Sequence, residues 1–227
     1  GRIDVADIGF PVEAIDPIPA ELELLTPASF VGLLPRRRPI AHKGDFGRAL
    51  ILAGSPGMTG AAALAARASL RAGAGLVTLG IPESLNPILE VKCTEAMTVP
   101  LPETGAHTLS PEGGKTIDEF LARSDTIALG PGLSREPETG ELVRRLIEDS
   151  SLPMVIDADG LNLLCEDISC LGRAKGPRIL TPHPGEMSRL TGKSVGEIQS
   201  DREKAARQFA EKFGCVLVLK GAGTVIA

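Results

Sequence analysis

The sequence has few cysteines, and none of them stands in a recognisable pattern. Its four cysteines, Cys93, Cys165, Cys170 and Cys215, form no Cys-x-x-Cys pair, and no histidine follows them at zinc-finger spacing. The pattern therefore signals neither a disulfide framework nor a zinc site. A reducing, cytoplasmic location is the simplest prediction.

An excess of basic charge and a long apolar run are also missing. The formal net charge is −5 and the sequence pI is about 5.3, which argues against a general affinity for nucleic acid. The one basic cluster, Arg36 to Arg38, fits a solvated linker patch. The most apolar window, Gly60 to Ile81, is interrupted by Arg67 and Arg71, and the N-terminus lacks a signal-peptide pattern. We therefore predict a soluble protein without a membrane partner.

The chain divides by composition into a tail and a domain. Residues 1 to about 48 contain six prolines and few periodic apolar positions, as a linker does. A compact domain is predicted to begin at His42, which gives segments 1–41 and 42–227.

Short apolar runs alternate with helical patterns through the second segment. We predict an α/β fold with a mostly parallel sheet and helices on both faces. The predicted strands are Ala49 to Ala53, Leu76 to Ile81, Thr126 to Leu129, Met154 to Ile156, a run ending at Ile179 and Leu180, and Val216 to Leu219. The predicted helices cover Ala61 to Ala72, a segment starting at Ser110 and Pro111, Leu142 to Ile147, a segment with Met187 and Leu190, and Val195 to Phe213. Periodicity does not fix the strand order.

Five of the predicted strands end in a small or charged turn. The turns are the loop from Gly54, Gly130-Pro131-Gly132, Asp157 with Asp159, Thr181 with His183 and Glu186, and Lys220 to Thr224. Because the carboxyl ends of parallel strands share one edge, these turns are predicted to surround one ligand.

Each turn alone leaves alternatives open. The glycines at 54, 57 and 60 resemble a dinucleotide fingerprint, but their spacing is not Gly-x-Gly-x-x-Gly, which counts against a nicotinamide dehydrogenase. Asp157 and Asp159 suit a magnesium or ribose pair, or a helix cap. Lys220 to Thr224 suits an anion-binding nest or a plain hairpin turn. Thr181 and Glu186 fit helix capping as well as ligand contact, whereas for His183 we favour ligand contact.

Together, these turns resemble a known family. The stretches His42-Lys43-Gly44, Ala49 to Ser55, Leu129 to Leu133, Asp157 to Asn162, Leu180 to Glu186 and Leu219 to Thr224 are similar to, and in the same order as, those of the ADP/ATP-dependent NAD(P)H-hydrate dehydratases of the ribokinase-like superfamily. The resemblance implies a ribokinase-like three-layer α/β sandwich and a homo-oligomer, with a tetramer as the expected form. Residues 3–11 resemble the end of an NAD(P)H-hydrate epimerase domain, which makes 1–41 the tail of such a domain plus a linker.

The resemblance implies a lyase of metabolite repair. A nucleotide, ADP or ATP, phosphorylates the ring hydroxyl of hydrated NADH or NADPH, and loss of phosphate restores the dihydronicotinamide. Ala49, Gly132, Asp157 and His183 are then expected to contact the hydrated cofactor. Lys220, Gly221, Ala222, Gly223 and Thr224 are expected to bind the nucleotide. Glu186 is expected to organise Mg²⁺ through water.

The sequence departs from the family pattern in one respect. The Gly-Gly-x-Gly-Asp stretch that supplies the family's catalytic Asp does not occur among the 227 residues. From this we expect the domain to be incomplete at its C-terminus and this chain alone to be inactive. The alternatives are a ribokinase-like kinase of a small hydroxyalkyl heterocycle and a nucleotide-binding module without catalysis.

Overall fold

The computed structural model describes residues 4, 6, 8, 9, 11, 21–33 and 36–227. The chain forms two compact units, Gly1–Ala41 and His42–Ala227. In the first unit, Pro27–Phe30 forms a 3-10 helix. Positions 3, 5, 7 and 10 of the stretch 3–11, which is predicted to resemble an epimerase domain, lie outside the described residues.

The second unit contains alternating strands and helices. The strands are β1 (Arg48–Leu52), β2 (Leu76–Pro82), β3 (Met97–Leu101), β4 (Thr126–Leu129), β5 (Met154–Ile156), β6 (Arg178–Leu180), β7 (Val216–Leu219) and β8 (Val225–Ile226). The helices are α1 (Thr59–Ala72), α2 (Asn86–Lys92), α3 (Gly114–Leu121), α4 (Pro137–Asp149), α5 (Asp159–Leu164), α6 (Pro184–Thr191), α7 (Val195–Ser200) and α8 (Arg202–Phe213). Shorter 3-10 helices cover Lys43–Phe46, Glu83–Leu85, Pro111–Gly113 and Ile168–Arg173.

These eight strands belong to one sheet in the order β3-β2-β1-β4-β5-β6-β7-β8. Neighbouring strands are parallel except for β7 and β8, which pair antiparallel. From β1 the chain continues to one side of the sheet, and from β4 it continues to the other side. A doubly wound sheet places its ligand crevice at such a reversal, outside the carboxyl ends of the strands.

Helices cover both faces of the sheet, as predicted. In β1, Ala49 and Ile51 pack with α1 and α2 in one apolar cluster. Leu50 and Leu52 point to the opposite face and join the cluster that includes residues from α3 to α8. This period-2 alternation within a single strand is what a sheet buried between two helical layers requires.

One predicted helix is interrupted in the structure, and one stretch without a prediction is resolved. The helix predicted from Val195 to Phe213 is broken at Asp201, whose extended backbone (φ −152°) ends α7. The Asp201 side chain accepts a hydrogen bond from the Lys204 backbone N–H and so begins α8 as its N-cap. The ambiguous stretch Val91 to Val99 contains the end of α2 and the start of β3.

The N-cap predicted at Ser110 is confirmed, because its side-chain oxygen accepts a hydrogen bond from the Glu112 backbone N–H at 3.2 Å. Among the described residues, no helix is long and apolar enough to cross a membrane.

Candidate active site

The five turns predicted to surround one ligand follow five adjacent strands, β1, β4, β5, β6 and β7. Backbone hydrogen bonds continue across their ends, so the turns form one connected edge. The bonds run from Gly54 N to Pro131 O (3.0 Å), from Gly130 N to Leu52 O (3.2 Å), from Asp157 N to Leu129 O (3.1 Å), from Thr181 N to Ile156 O (3.1 Å), and from Lys220 N to Pro182 O (2.8 Å). The predicted convergence of these turns is therefore present in the fold.

Glycines at the β4 turn allow very close packing. Gly130 has φ +130°, and a Cβ there would lie 1.9 Å from the Asp157 carbonyl oxygen. Gly132 has φ +68°, and a Cβ there would lie 2.9 Å from Met58 Cβ, just before α1 begins. Neither position tolerates a side chain without movement of its neighbours. This turn is therefore fixed by its contacts on both sides.

Lys220 lies between two carboxylates at the ends of β5 and β6. Its Nζ donates to Asp157 Oδ1 at 2.7 Å and lies 3.9 Å from Glu186 Oε2. The Glu186 side chain is 7% exposed, whereas Lys220 and Asp157 are about half-buried. Most of the charge on Lys220 is thus balanced within the protein.

His183, rather than Thr181, is the N-cap of α6. Its Nδ1 accepts hydrogen bonds from the backbone N–H groups of Gly185 and Glu186, at 3.0 and 3.3 Å. The Glu186 carboxylate in turn accepts from the His183 backbone N–H at 2.7 Å, which completes a capping box. With Nδ1 acting as an acceptor, the neutral ring carries its proton on Nε2. The ring is half-exposed, and its Nε2, which lies 3.4 Å from Glu186 Oε1, offers an N–H donor at this edge.

Asp157 and Asp159 do not act as a pair. Asp157 binds Lys220, whereas Asp159 accepts hydrogen bonds from the Ser134 backbone N–H and the Asn162 side chain. Ala158 between them has φ +50° and ψ −119°, a conformation that non-glycine residues rarely adopt. This turn of the backbone sends the two carboxylates to different partners, and neither caps α5 through its side chain.

The segment Lys220 to Thr224 is a tight turn between antiparallel β7 and β8, so the hairpin interpretation is confirmed. Gly221 (φ +155°) and Gly223 (φ +71°) supply its unusual backbone angles. The Thr224 hydroxyl bonds within the turn, to the Gly221 carbonyl oxygen at 3.1 Å. Nucleotide binding by this turn stays a prediction.

Two residues near this edge were not found by sequence reasoning. Arg202 donates to carbonyl oxygens of the β7 turn, and Ser55, buried in the β1 turn, has a hydroxyl without a hydrogen-bond partner among the described residues. Arg202 stands in no motif and precedes the turn that it contacts by about twenty residues, so no sequence signal points to it. Ser55 lies in the Gly54 turn and in the stretch Ala49 to Ser55, but nothing in the sequence singles out its hydroxyl.

Ala49 is the one predicted site residue that the structure places elsewhere. It is the second residue of β1, near the amino-terminal end of the strand, and it is only 9% exposed in the core beneath α1. The other predicted residues follow the carboxyl ends of their strands. The geometry therefore gives no support to a contact between Ala49 and the same ligand.

A magnesium ion fits this edge only if other ligands complete its coordination. Among the described residues, no three His, Cys, Asp or Glu side chains come together as a metal cluster. Glu186 offers one buried carboxylate that already accepts a hydrogen bond. Mg²⁺ commonly takes one or two protein carboxylates and completes its shell with water and phosphate oxygens. The residues present suit that mode and not a cage of protein ligands alone.

The fold and the site together define a doubly wound α/β protein. Its turns suited to anion binding lie at the carboxyl edge of the sheet, where the strand order reverses. Residues 49–227 match the family model described as NAD(P)H-hydrate dehydratase. The chain belongs to this family, which confirms the predicted resemblance.

Named relatives agree with the family match. The chain is 49% identical, over its whole length, to a bifunctional NAD(P)H-hydrate repair enzyme of Moorella thermoacetica, of which it covers 43%. It is 36% identical to the ADP-dependent (S)-NAD(P)H-hydrate dehydratase of Bacillus subtilis, with 86% of this chain and 65% of that protein covered. The chain thus spans less than half the length of the bifunctional relative.

Solved structures support the fold. The Bacillus subtilis ADP/ATP-dependent NAD(P)H-hydrate dehydratase, co-crystallized with ATP/Mg²⁺, aligns with a TM-score of 0.67 and 34% identity, over 86% of this chain and 65% of that one. A ribokinase-like superfamily protein of Enterococcus faecalis aligns with a TM-score of 0.68 at 23% identity, over 84% of this chain and 63% of that one. The predicted ribokinase-like α/β sandwich is confirmed.

Proposed function

We propose that this protein takes part in the nucleotide-dependent dehydration of hydrated NADH and NADPH, a metabolite-repair reaction. The chain belongs to the dehydratase family. Within that family, the observation that carries the proposal is that backbone hydrogen bonds join the β4, β5, β6 and β7 turns into one edge. ADP is the proposed phosphoryl donor, because the Bacillus subtilis relative is named as ADP-dependent. The phosphoryl group passes to the ring hydroxyl and AMP leaves. Elimination of phosphate, with loss of a proton from the adjacent ring carbon to water, then restores the double bond of the dihydronicotinamide.

The two ligands divide the edge between them in this proposal. The Lys220–Thr224 turn binds the nucleotide phosphates, because its glycines leave backbone N–H groups accessible to an anion. Gly132, Asp157 and His183 contact the hydrated cofactor. The Nε2–H of His183 donates to an oxygen of that ligand, and Asp157 accepts from one of its hydroxyl groups. Glu186 would hold Mg²⁺ through a water molecule, and the metal would neutralise phosphate charge.

The test is the return of the absorbance band of reduced nicotinamide after hydrated NADH, ADP and Mg²⁺ are mixed with protein. It is run on this chain and on the chain extended past Ala227 by the matching segment of the Bacillus subtilis relative. We expect recovery with the extended chain, since the resemblance assigns the base to a Gly-Gly-x-Gly-Asp stretch. A stable phosphorylated product would identify a kinase instead. ADP binding without turnover by the extended chain would indicate a binding module.

We also propose that the protein forms a homo-oligomer. Three large apolar side chains on α1 and α2, Leu64, Ile88 and Val91, are 69%, 47% and 79% exposed. The two helices that carry these side chains are in contact, and exposed apolar patches often mark protein interfaces. Sedimentation velocity measures the assembly state, and a monomer at all concentrations would contradict this part of the proposal.

A further inference from the structure

Arg202 holds the Lys220–Thr224 turn from the side of α8. It is the first residue of α8, and one guanidinium nitrogen donates to the carbonyl oxygens of Leu219, Lys220 and Gly223 at 2.8, 3.2 and 3.4 Å. Its other terminal nitrogen donates to Gln199 Oε1 at 2.6 Å. One side chain thus fixes three peptide groups in and beside a five-residue turn.

These hydrogen bonds also set the direction of the turn's N–H groups. In a trans peptide the N–H points opposite to the carbonyl of the preceding residue, and the described residues contain no cis peptide. Because the carbonyls of Lys220 and Gly223 face Arg202, the N–H groups of Gly221 and Thr224 face away from it. Gly221 N–H donates a long hydrogen bond, 3.4 Å, to the hydroxyl of Thr224 in the same turn. Such a weak internal bond leaves this donor accessible to a ligand.

The glycine at 221 is matched to the arginine. A Cβ on Gly221 would lie 2.9 Å from a guanidinium nitrogen of Arg202. A side chain there would push the guanidinium away from the carbonyl oxygens. The turn and the arginine therefore fit each other as a unit.

Arg202 differs from Lys220 in how its charge is balanced. Lys220 is paired with Asp157 at 2.7 Å, with Glu186 nearby. Within the described part of the chain, Arg202 has no carboxylate partner, and its buried Nε has no hydrogen-bond partner. A cation hydrogen-bonded to carbonyl oxygens polarises those peptide groups and strengthens their N–H groups as donors.

We propose that Arg202 is a positioning residue for a phosphate group of a nucleoside diphosphate bound at the Lys220–Thr224 turn. It holds the turn with its N–H groups outward, and it supplies positive charge through the peptide groups without touching the ligand. This proposal rests on the proposed function, because it deepens the role of that turn. It adds a residue that no motif contains.

The test compares the binding of ADP and of adenosine to the full chain by isothermal titration calorimetry. Arg202→Gln removes the charge and most of the donors, and it is expected to weaken ADP binding about tenfold or more, as loss of hydrogen bonds to a charged group does. Adenosine, which lacks phosphate, should change less than about twofold. Arg207→Gln is the matched control, since it removes the same charge from the exposed side of α8. It should leave both affinities unchanged.

Arg202→Lys separates charge from geometry. One ammonium group does not reproduce the planar fork of the guanidinium, so ADP affinity should fall between that of the wild type and that of Arg202→Gln. If Arg202→Gln does not fold, as judged by its thermal unfolding, Arg202→Lys decides the question. Wild-type ADP affinity in that variant overturns the proposal, as does an equal loss of ADP and adenosine binding in either variant. A wild-type chain that binds no ADP overturns the assignment of the nucleotide to this turn and this inference with it, whereas the dehydration assay on the extended chain tests the proposed reaction separately.

Discussion

At the scale of single residues, Ala158 stores backbone strain at the candidate site. Its φ of +50° and ψ of −119° belong to a region that glycine occupies with little strain. Strain of this kind persists where the surroundings fix the backbone. Here Asp157 is bonded to Lys220, and Asp159 is bonded to Ser134 and Asn162. The sequence Asp-Ala-Asp gives no sign of this conformation, which is why spacing alone allowed a paired-carboxylate interpretation.

Ala158→Gly is therefore expected to stabilise the protein by about 1 kcal/mol, because relief of strain exceeds the added entropy of the unfolded chain. Urea unfolding with an unchanged m value measures this. Ala65→Gly, the same change in the middle of α1, is the control and should destabilise by about 1 kcal/mol. Destabilisation by both changes would show that Ala158 is not strained.

His183 combines a structural role with a proposed ligand role, and two substitutions separate them. His183→Ala removes the N-cap of α6 and should lower the free energy of unfolding by about 1 kcal/mol. His183→Asn keeps a capping oxygen and should cost less than half as much. Both remove the Nε2–H donor, so both should weaken binding of the hydrated cofactor to a similar extent. Unchanged binding of the hydrated cofactor by His183→Asn would show that His183 caps α6 and does not contact the ligand.

At the scale of strands and helices, the need for glycine at positive φ differs from one turn to the next. Gly130 lies against the Asp157 backbone, and a methyl group there meets a carbonyl oxygen that cannot rotate away. Gly57, with φ +81°, has open space on that side, because no described atom lies within 4 Å of where a Cβ would stand. Both have positive φ, but only Gly130 is closely packed.

Gly130→Ala should therefore destabilise by about 3 kcal/mol or more, through overpacking added to backbone strain. Gly57→Ala should cost about 1 kcal/mol, from backbone strain alone. Chemical denaturation of the two variants gives both values. Similar losses would mean that the backbones of β4 and β5 separate easily and that the edge is less rigid than its hydrogen bonds indicate.

The strands and helices were largely predictable from the sequence, because each predicted strand is a short apolar run that ends near glycine or a charged residue. The break at Asp201 could not be predicted, since the apolar positions from Ile198 to Phe209 keep a helical spacing across it. The position of the candidate residues at the strand ends was predictable for the same reason as the strands, whereas their roles stay predictions. Arg202 could not be predicted as a residue near the site, because its contacts depend on the packing of α8 against a turn that lies later in the sequence.

At the scale of the whole molecule, the strand order could not be read from periodicity. Alternating apolar runs predict a parallel sheet but do not state which strands are neighbours. The reversal between β1 and β4 decides that the β4, β5, β6 and β7 turns lie side by side. Ala49 lies away from them for a different reason, because it is near the start of β1 and so lies toward the opposite edge of the sheet.

Two cysteines are expected to make the stability of the whole fold depend on pH in the alkaline range. Burial raises the pKa of the Cys170 and Cys215 thiols from 9.0 to about 11. Each of these two thiols therefore keeps a proton in the folded chain that it loses in the unfolded chain, so their contribution to stability is fully present below about pH 9 and falls as pH rises toward about 11. Each thiol contributes at most about 1.4 kcal/mol per pH unit to this fall.

Urea unfolding of the wild type, Cys170→Ala and Cys215→Ala between about pH 8 and about pH 11 checks this expectation. Each substitution should flatten the decline in unfolding free energy over the upper part of this range, whatever its effect on stability near pH 8. The chain contains no tyrosine, so no phenol titrates in the same window. Lysines do titrate there, but they contribute equally to all three proteins. Parallel curves for the three would show that the thiols ionise alike in the folded and unfolded chains, and hence that water reaches both sulfur atoms in the native state.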